Sequence, residues 1–362
     1  MFDFDELAKL RFGMTSVPKF GGQPGTYEEQ WSQWFLERSF FRDFVNRNPR
    51  GEKKGQELAD AVVLFEDVVF MVQVKAQCGS HEAMAWATEK LLEALKQIKK
   101  THESLVQGKI KTLKNDLYGE LEFNSSAYPN RIGLIILAHD SEPYVATELV
   151  PELLAAGFPI HVFSLTDFAV VASRFDTAAD FINFLELRTD IALKERYFVQ
   201  DEGGNITRMI PYVEGVYRAH LRSTSPKMLQ KMANAFADIA TGRLMQSPDW
   251  KYGLSIDDMI ARAHDVDPTL PWNRGDGHDG LEIARFLGWL TRDRCIRLGK
   301  LLISKCEAAQ DGELHYFPHV QATRGTAAVY SLVACLPEAR VFNVPCCVRR
   351  GHFRQTRAGK SD

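Results

Sequence analysis

Asp60, Gln73 and Lys75 stand out in a stretch that is otherwise greasy, GQELADAVVLFEDVVFMVQVKAQ from Gly55 to Gln77. Two runs rich in valine and phenylalanine flank Glu66-Asp67, which reads as a two-residue turn. With that turn, Phe65 opposes Val68, Val63 opposes Phe70, and Asp60 opposes Gln73. Opposed residues of antiparallel strands project to one face, with Cβ atoms about 4.5–5.5 Å apart. Alternation then places Lys75 on the face of Gln73. An acid, an amide and an amine are therefore expected to meet at one end of a hydrophobic hairpin. The plainer alternative is an ordinary hairpin with polar ends, Asp60 at strand entry and Lys75 solvated at the edge.

Such a group suits phosphodiester chemistry assisted by a divalent ion. Mg²⁺, or Mn²⁺ in its place, takes oxygen ligands and keeps several waters. Asp60 would supply the charged ligand, and the Gln73 amide oxygen and the Val74 main-chain carbonyl the neutral ones. A metal so held lowers the pKa of a bound water and neutralises charge growing on a phosphate. Lys75 would orient the attacking water, help deprotonate it, or stabilise the transition state.

These residues need a frame. From Thr26 the pattern is helical, with Trp31, Trp34, Phe35, Phe41 and Val45 near one stripe. After the hairpin comes a long helix from about His81 to Gln107. RIGLIILAH reads as a buried strand, EPYVATELVPELLAAG as a helix closed by Gly157, FPIHVFSL as a strand, and DTAADFINFLELRTDIALKER as a helix. This alternation predicts an α/β fold with a mixed sheet covered on both faces. Residues 1–25, rich in glycine and proline, read as an N-terminal arm, and 26–194 as the sheet domain. A soft boundary falls between Lys194 and Asn205, where Gly203-Gly204 suggests a turn. Residues 195–348 read as a second, mainly helical α+β domain. Its helices are expected near Pro226–Thr241, Ser255–Ala263 and Leu281–Gln310, with a strand at TAAVYSLVAC. The basic tail, 349–362, is expected to be disordered.

The Asp60 and Gln73-Val74-Lys75 pair of motifs, in this element order, resembles the PD-(D/E)XK nuclease superfamily over roughly Thr26 to Arg188. Asp60 matches the aspartate that opens the second strand of that family, and Gln73-Val74-Lys75 matches the tripeptide on the third. Gln73 departs from the carboxylate of most members, and Mrr-type restriction endonucleases are similar in using Q-x-K. The resemblance implies a restriction-endonuclease-like fold and a Mg-dependent endonuclease acting on nucleic acid, DNA first. It also implies an acid early in the first helix. Glu28, three and seven residues before Trp31 and Phe35, is preferred over Glu29, which a T-x-x-E capping box already employs. Glu57 is a rival. The second domain would serve recognition, regulation or homo-oligomer formation, and a bacterial genome-defence role would suit a restriction-type enzyme. A decayed nuclease fold that binds nucleic acid without cutting it is the alternative of another class.

A net charge of −3 opposes a whole-protein attraction to a polyanion, so any such surface must be local. Lys90, Lys96, Lys99, Lys100, Lys109, Lys111 and Lys114 are its candidates, or else an ordinary solvated helix face. The six cysteines form no CxxC, a pattern of reduced thiols that suits the cytoplasm. No leader is apparent, and no apolar run is long enough to cross a bilayer. His315 and His319 straddle a proline that opposes a helical zinc pair. No P-loop, GxSxG or dinucleotide fingerprint is present.

Overall fold

The computed structural model describes residues 26–47, 59–77, 82–139, 150–195, 202–221, 224–261, 279–309, 320–322 and 328–330. Within it the apolar run VVFMVQV forms a strand walled in on both sides, as a two-sided hydrophobic strand must be. This strand, β3 (Val68–Ala76), lies inside a seven-stranded mixed sheet with β1 (Val45–Arg47), β2 (Ala61–Phe65), β4 (Thr112–Asn115), β5 (Gly119–Glu122), β6 (Asn130–Ala138) and β7 (Ile160–Ser164). The order is β5-β4-β1-β2-β3-β6-β7. β2 and β3 pair antiparallel from Phe65↔Val68 to Ala61↔Val72 in the register expected. The pairing stops there: the expected Asp60–Gln73 opposition is not part of it, because the chain bends and the Asp60 N–H turns to the Val72 carbonyl. Glu66 turns the hairpin in the left-handed conformation, with φ 53°. β3, β6 and β7 run parallel, so each connection must cross a face of the sheet.

Those crossings set the layers. Helix α1 (Thr26–Phe44) lays Trp31, Phe35, Phe40 and Phe44 on the face carrying Val63, Phe65, Phe70, Val72 and Val74. The Phe40 and Phe70 rings are 4.8 Å apart. Helix α2 (Ala83–Val106), between β3 and β6, covers the other face with Trp86, Leu91, Ala94, Leu95 and Ile98 against Val62, Leu64, Val69, Met71, Ile135 and Leu137. Each fully buried Val, Leu, Ile, Met or Phe among them contributes about 1.5–3 kcal/mol. The short α3 (Val150–Leu154) adds Leu153 to the same face. The outcome is an α/β fold with a seven-stranded mixed sheet between helices.

Where the chain departs from expectation, local polarity or capping is the reason. The β4–β5 hairpin escapes notice because TLKN and GELE are short and mostly exposed. Asn115 secures it, donating to the carbonyls of Arg42, Asp43 and Val45 at 3.0–3.1 Å. Helix α4 (Leu165–Arg174) follows β7 at once, because the Ser164 hydroxyl accepts the Asp167 N–H at 3.0 Å and caps it. After α5 (Ala178–Glu195), helix α6 (Glu202–His220) runs through Gly203-Gly204, where a turn was expected, and through Pro211. Helices α7 (Pro226–Ala240) and α8 (Trp250–Ala261) lie close to their expected places. The single helix expected over Leu281–Gln310 is instead two, α9 (Asp279–Gly288) and α10 (Arg292–Ala309), with a break at Trp289–Thr291. A two-stranded ribbon, β8 (Val320–Ala322) with β9 (Ala328–Tyr330), falls at the start of the expected TAAVYSLVAC strand. The arm, Glu57, His315, His319 and the basic tail lie outside the described residues.

Helices on either side of the expected 194–205 boundary share one apolar core. Val213, Phe236, Ile256 and Leu287 belong to the cluster that contains Phe35 and Phe70, and the Trp289 ring lies 5.4 Å from that of Phe65. The fastening is Arg292, which is 1% exposed. Its Nε donates to Asp176 at 3.0 Å, its Nη1 and Nη2 grip Asp257 at 3.1 and 2.9 Å, and its backbone N–H donates to Asp180 at 2.7 Å. The Trp250 ring lies 4.8 Å beneath its guanidinium carbon. Burial works against the charge, but Asp176 and Asp257 outweigh it and hold the guanidinium protonated. The break before α10 delivers that residue to the acids. Nearby, α8 and α10 approach so closely that a Cβ on Gly299 would lie 1.9 Å from the Tyr252 carbonyl oxygen.

Candidate active site

β2 ends at Ala61, one residue short of the acid. The chain bends at Asp60, whose backbone N–H donates to the Val72 carbonyl at 3.0 Å. Its carboxylate Oδ2 then accepts the Val74 N–H at 2.5 Å. The side chain thus continues the ladder where the β2 backbone has stopped, and this fixes the carboxylate beside β3. The N–H and C=O of a strand residue project to the same neighbour, so the Val74 carbonyl also faces the Asp60 side. Asp60 is half-buried.

Gln73 and Lys75 alternate with Val72 and Val74, which lie in the α1-side core, and so project toward α2. Gln73 is 3% exposed and sits beside Ile135 in the parallel register; Lys75 follows beside Leu137. The Lys75 ammonium does not stand in solvent at a free edge. It pairs with Glu93 Oε1 at 2.9 Å, and Lys90 holds the other oxygen, Oε2, at 2.9 Å. Bonds to Lys75 and then to Lys90 lower the Glu93 pKa, while the bond to Glu93 raises that of Lys90. Glu93 is the site-end residue that sequence reasoning missed. It lies eighteen residues beyond Lys75 and reads as one more charge on a helix; the usable signal was its spacing, three residues after Lys90 and two after the inward Leu91.

Asp60, Gln73, Val74 and Lys75 therefore occupy one end of the hairpin, with Glu93 and Lys90 added from α2. Glu28 is placed differently. Phe44 lies on Phe65 and Phe40 on Phe70, so α1 runs with its first turn toward the Asp60–Lys75 end. Twelve residues of helix carry Glu28 about 18 Å past Phe40 along that axis. The helix, however, covers the face opposite Gln73 and Lys75. Glu28, on the first turn of that helix, thus belongs to the side of the sheet away from Gln73 and Lys75.

Around this end, Gln77 donates its backbone N–H to Ala138 at 2.9 Å and extends the β3–β6 pairing. The His139 ring lies 5.0 Å from that of Trp86. Lys96 and Lys100 are exposed on α2, and Lys109, Lys111 and Lys114 are exposed beyond it. As metal donors, Asp60, the Val74 carbonyl and the Gln73 amide are all oxygens of the kind a hard cation accepts. Among the described residues, no three Asp, Glu, His or Cys side chains gather to hold a metal ion. Any cation here would lean on main-chain and amide oxygens and on water. No helix among the described residues is long and apolar enough to cross a membrane. No protein-family model, curated protein or solved structure matches the chain.

Proposed function

We propose that the Asp60–Lys75 end of the hairpin is the active site of a divalent-metal-dependent nuclease of the PD-(D/E)XK type, with a restriction-endonuclease-like fold and DNA as its substrate. One observation carries the reading: the carboxylate of Asp60 is held against the Val74 amide, next to Gln73 and Lys75, at the end of two otherwise apolar strands. Asp60, the Val74 carbonyl and the Gln73 amide would hold Mg²⁺ or Mn²⁺. A cation bound there supplies a water of lowered pKa and neutralises charge on the scissile phosphate.

The chain's own residues do the rest. Lys75 places an ammonium beside the phosphate, where it stabilises developing negative charge or positions the attacking water. Glu93 and Lys90 orient that ammonium from α2, and an incoming phosphate would compete with Glu93 for it. The exposed lysines of α2 and of 109–114 would offer further phosphate contacts. A role in bacterial genome defence, in the cytoplasm, belongs to this proposal.

A second reading is a nuclease fold that binds nucleic acid or regulates without cutting. It is favoured by the engagement of Lys75 with Glu93 and by the lack, among the described residues, of a three-acid cluster. Plasmid and single-stranded DNA incubated with Mg²⁺ or Mn²⁺ separate the two. Cleavage that needs the metal and disappears in both Asp60→Ala and Lys75→Ala is the expected result. DNA binding that survives both substitutions, with no cutting under either metal, would establish the second reading instead.

A further inference from the structure

We propose that a half-open cavity of about 160 Å³ between α5, α6, α7 and α10 binds a small aromatic phosphate, with the ring inside and the phosphate at the mouth. A dry cavity of about 150 Å³ accommodates benzene, so the space suits one aromatic ring. The buried rings of Phe175 and Phe236, 5.4 Å apart, help to line it, and Met232 adds an adaptable thioether wall. The apolar lining gives a ring a reason to enter.

The charges of the lining give it a sign. Lys231 on α7 and Arg294 on α10 are exposed and line the same cavity. Neither has a carboxylate partner among the described residues. The two acids of the wall are already engaged. Asp180 accepts from the Arg292 N–H at 2.7 Å and the Thr177 hydroxyl at 2.8 Å, and Asp293 pairs with Arg297. Asp180 is buried and Asp293 is paired, so the charge exposed at the mouth is positive and comes from two separate helices. A phosphate monoester carries about −1.5 to −2 at neutral pH, which matches two cations better than a carboxylate does. None of the lining residues belongs to β2, β3 or α2, so the inference stands apart from the nuclease reading.

The test is calorimetric titration of the full chain with phenyl phosphate, and in parallel with inorganic phosphate and phenol. Phenyl phosphate is expected to saturate at a Kd at least about tenfold tighter than either fragment, since each half of the site adds about 1.4 kcal/mol. The exposed-site double variant Lys231→Gln/Arg294→Gln should weaken it by about tenfold while the urea midpoint stays at the wild-type value. Met232→Trp should block the ring and leave inorganic phosphate unaffected. Equal binding of phenyl phosphate and inorganic phosphate, full binding by the double variant, or no saturable heat would each overturn the proposal.

Discussion

Two ion-pair groups in this molecule use the same chemistry to opposite ends. The centre of the Arg292 group is sealed: Arg292 and Asp176 are each 1% exposed, with Asp257 at 25% on its rim, and four hydrogen bonds tie α10 to residues from 35 to 116 positions earlier. The Lys75 group is open, with Glu93 43% exposed and Lys90 31%. A buried pair broken on one side leaves a stranded charge, so it behaves as a fastening. A pair at the surface is screened and easily exchanged. The fold places its permanent charges where water is excluded, and its exchangeable ones at the hairpin end, where a phosphate could take over a partner.

The comparison is broken first at Arg292. Arg292→Ala should cost about 3–5 kcal/mol, read as a fall in the urea midpoint, because Asp176 keeps its burial and, with Asp257, loses the guanidinium. A loss under about 1 kcal/mol would mean that water reaches the group. Next comes Asp180, whose pKa burial pushes up to about 6, with the Arg292 N–H and Thr177 opposing. The folded state therefore holds this proton more tightly than the unfolded chain. The stability it contributes is complete below about pH 4 and is lost as pH rises through about 6, a change of roughly 3 kcal/mol at most. Asp180→Asn should flatten that slope in urea melts across the same range. The smallest effect belongs to the open group. Glu93→Gln should shift stability by less than about 1 kcal/mol and, on the proposed nuclease reading, alter DNA cleavage through the freed Lys75. A Glu93→Gln protein that cuts like the wild type would confine Glu93 to the helix surface.

Much of this was legible where the chain had no choice. The hairpin register follows from the two-residue turn at Glu66-Asp67 between two apolar runs, so Val63 and Phe70 meet as expected. Lys75 is legible as the amine of the polar group, but its carboxylate partner comes from α2, and helix position alone does not single out Glu93 among the acids of its surface. Arg292 was harder still. In sequence it looks like one basic residue of an amphipathic helix, and only the break at Trp289–Thr291 turns it inward. Asn115 hides for a similar reason, since its five hydrogen bonds go to backbone groups that any sequence would offer. Long-range polar partners leave no period in the chain.

The contact between Trp289 and Phe65 has a practical corollary. A fragment cut after residue 195 would keep the whole sheet, yet it would uncover the aromatic flank on which the later helices rest. Such a bare ribbon of phenylalanine invites self-association in preparative work. Expression of the sheet region by itself is thus a poor route to the protein, and a limited-proteolysis product ending there should precipitate rather than persist.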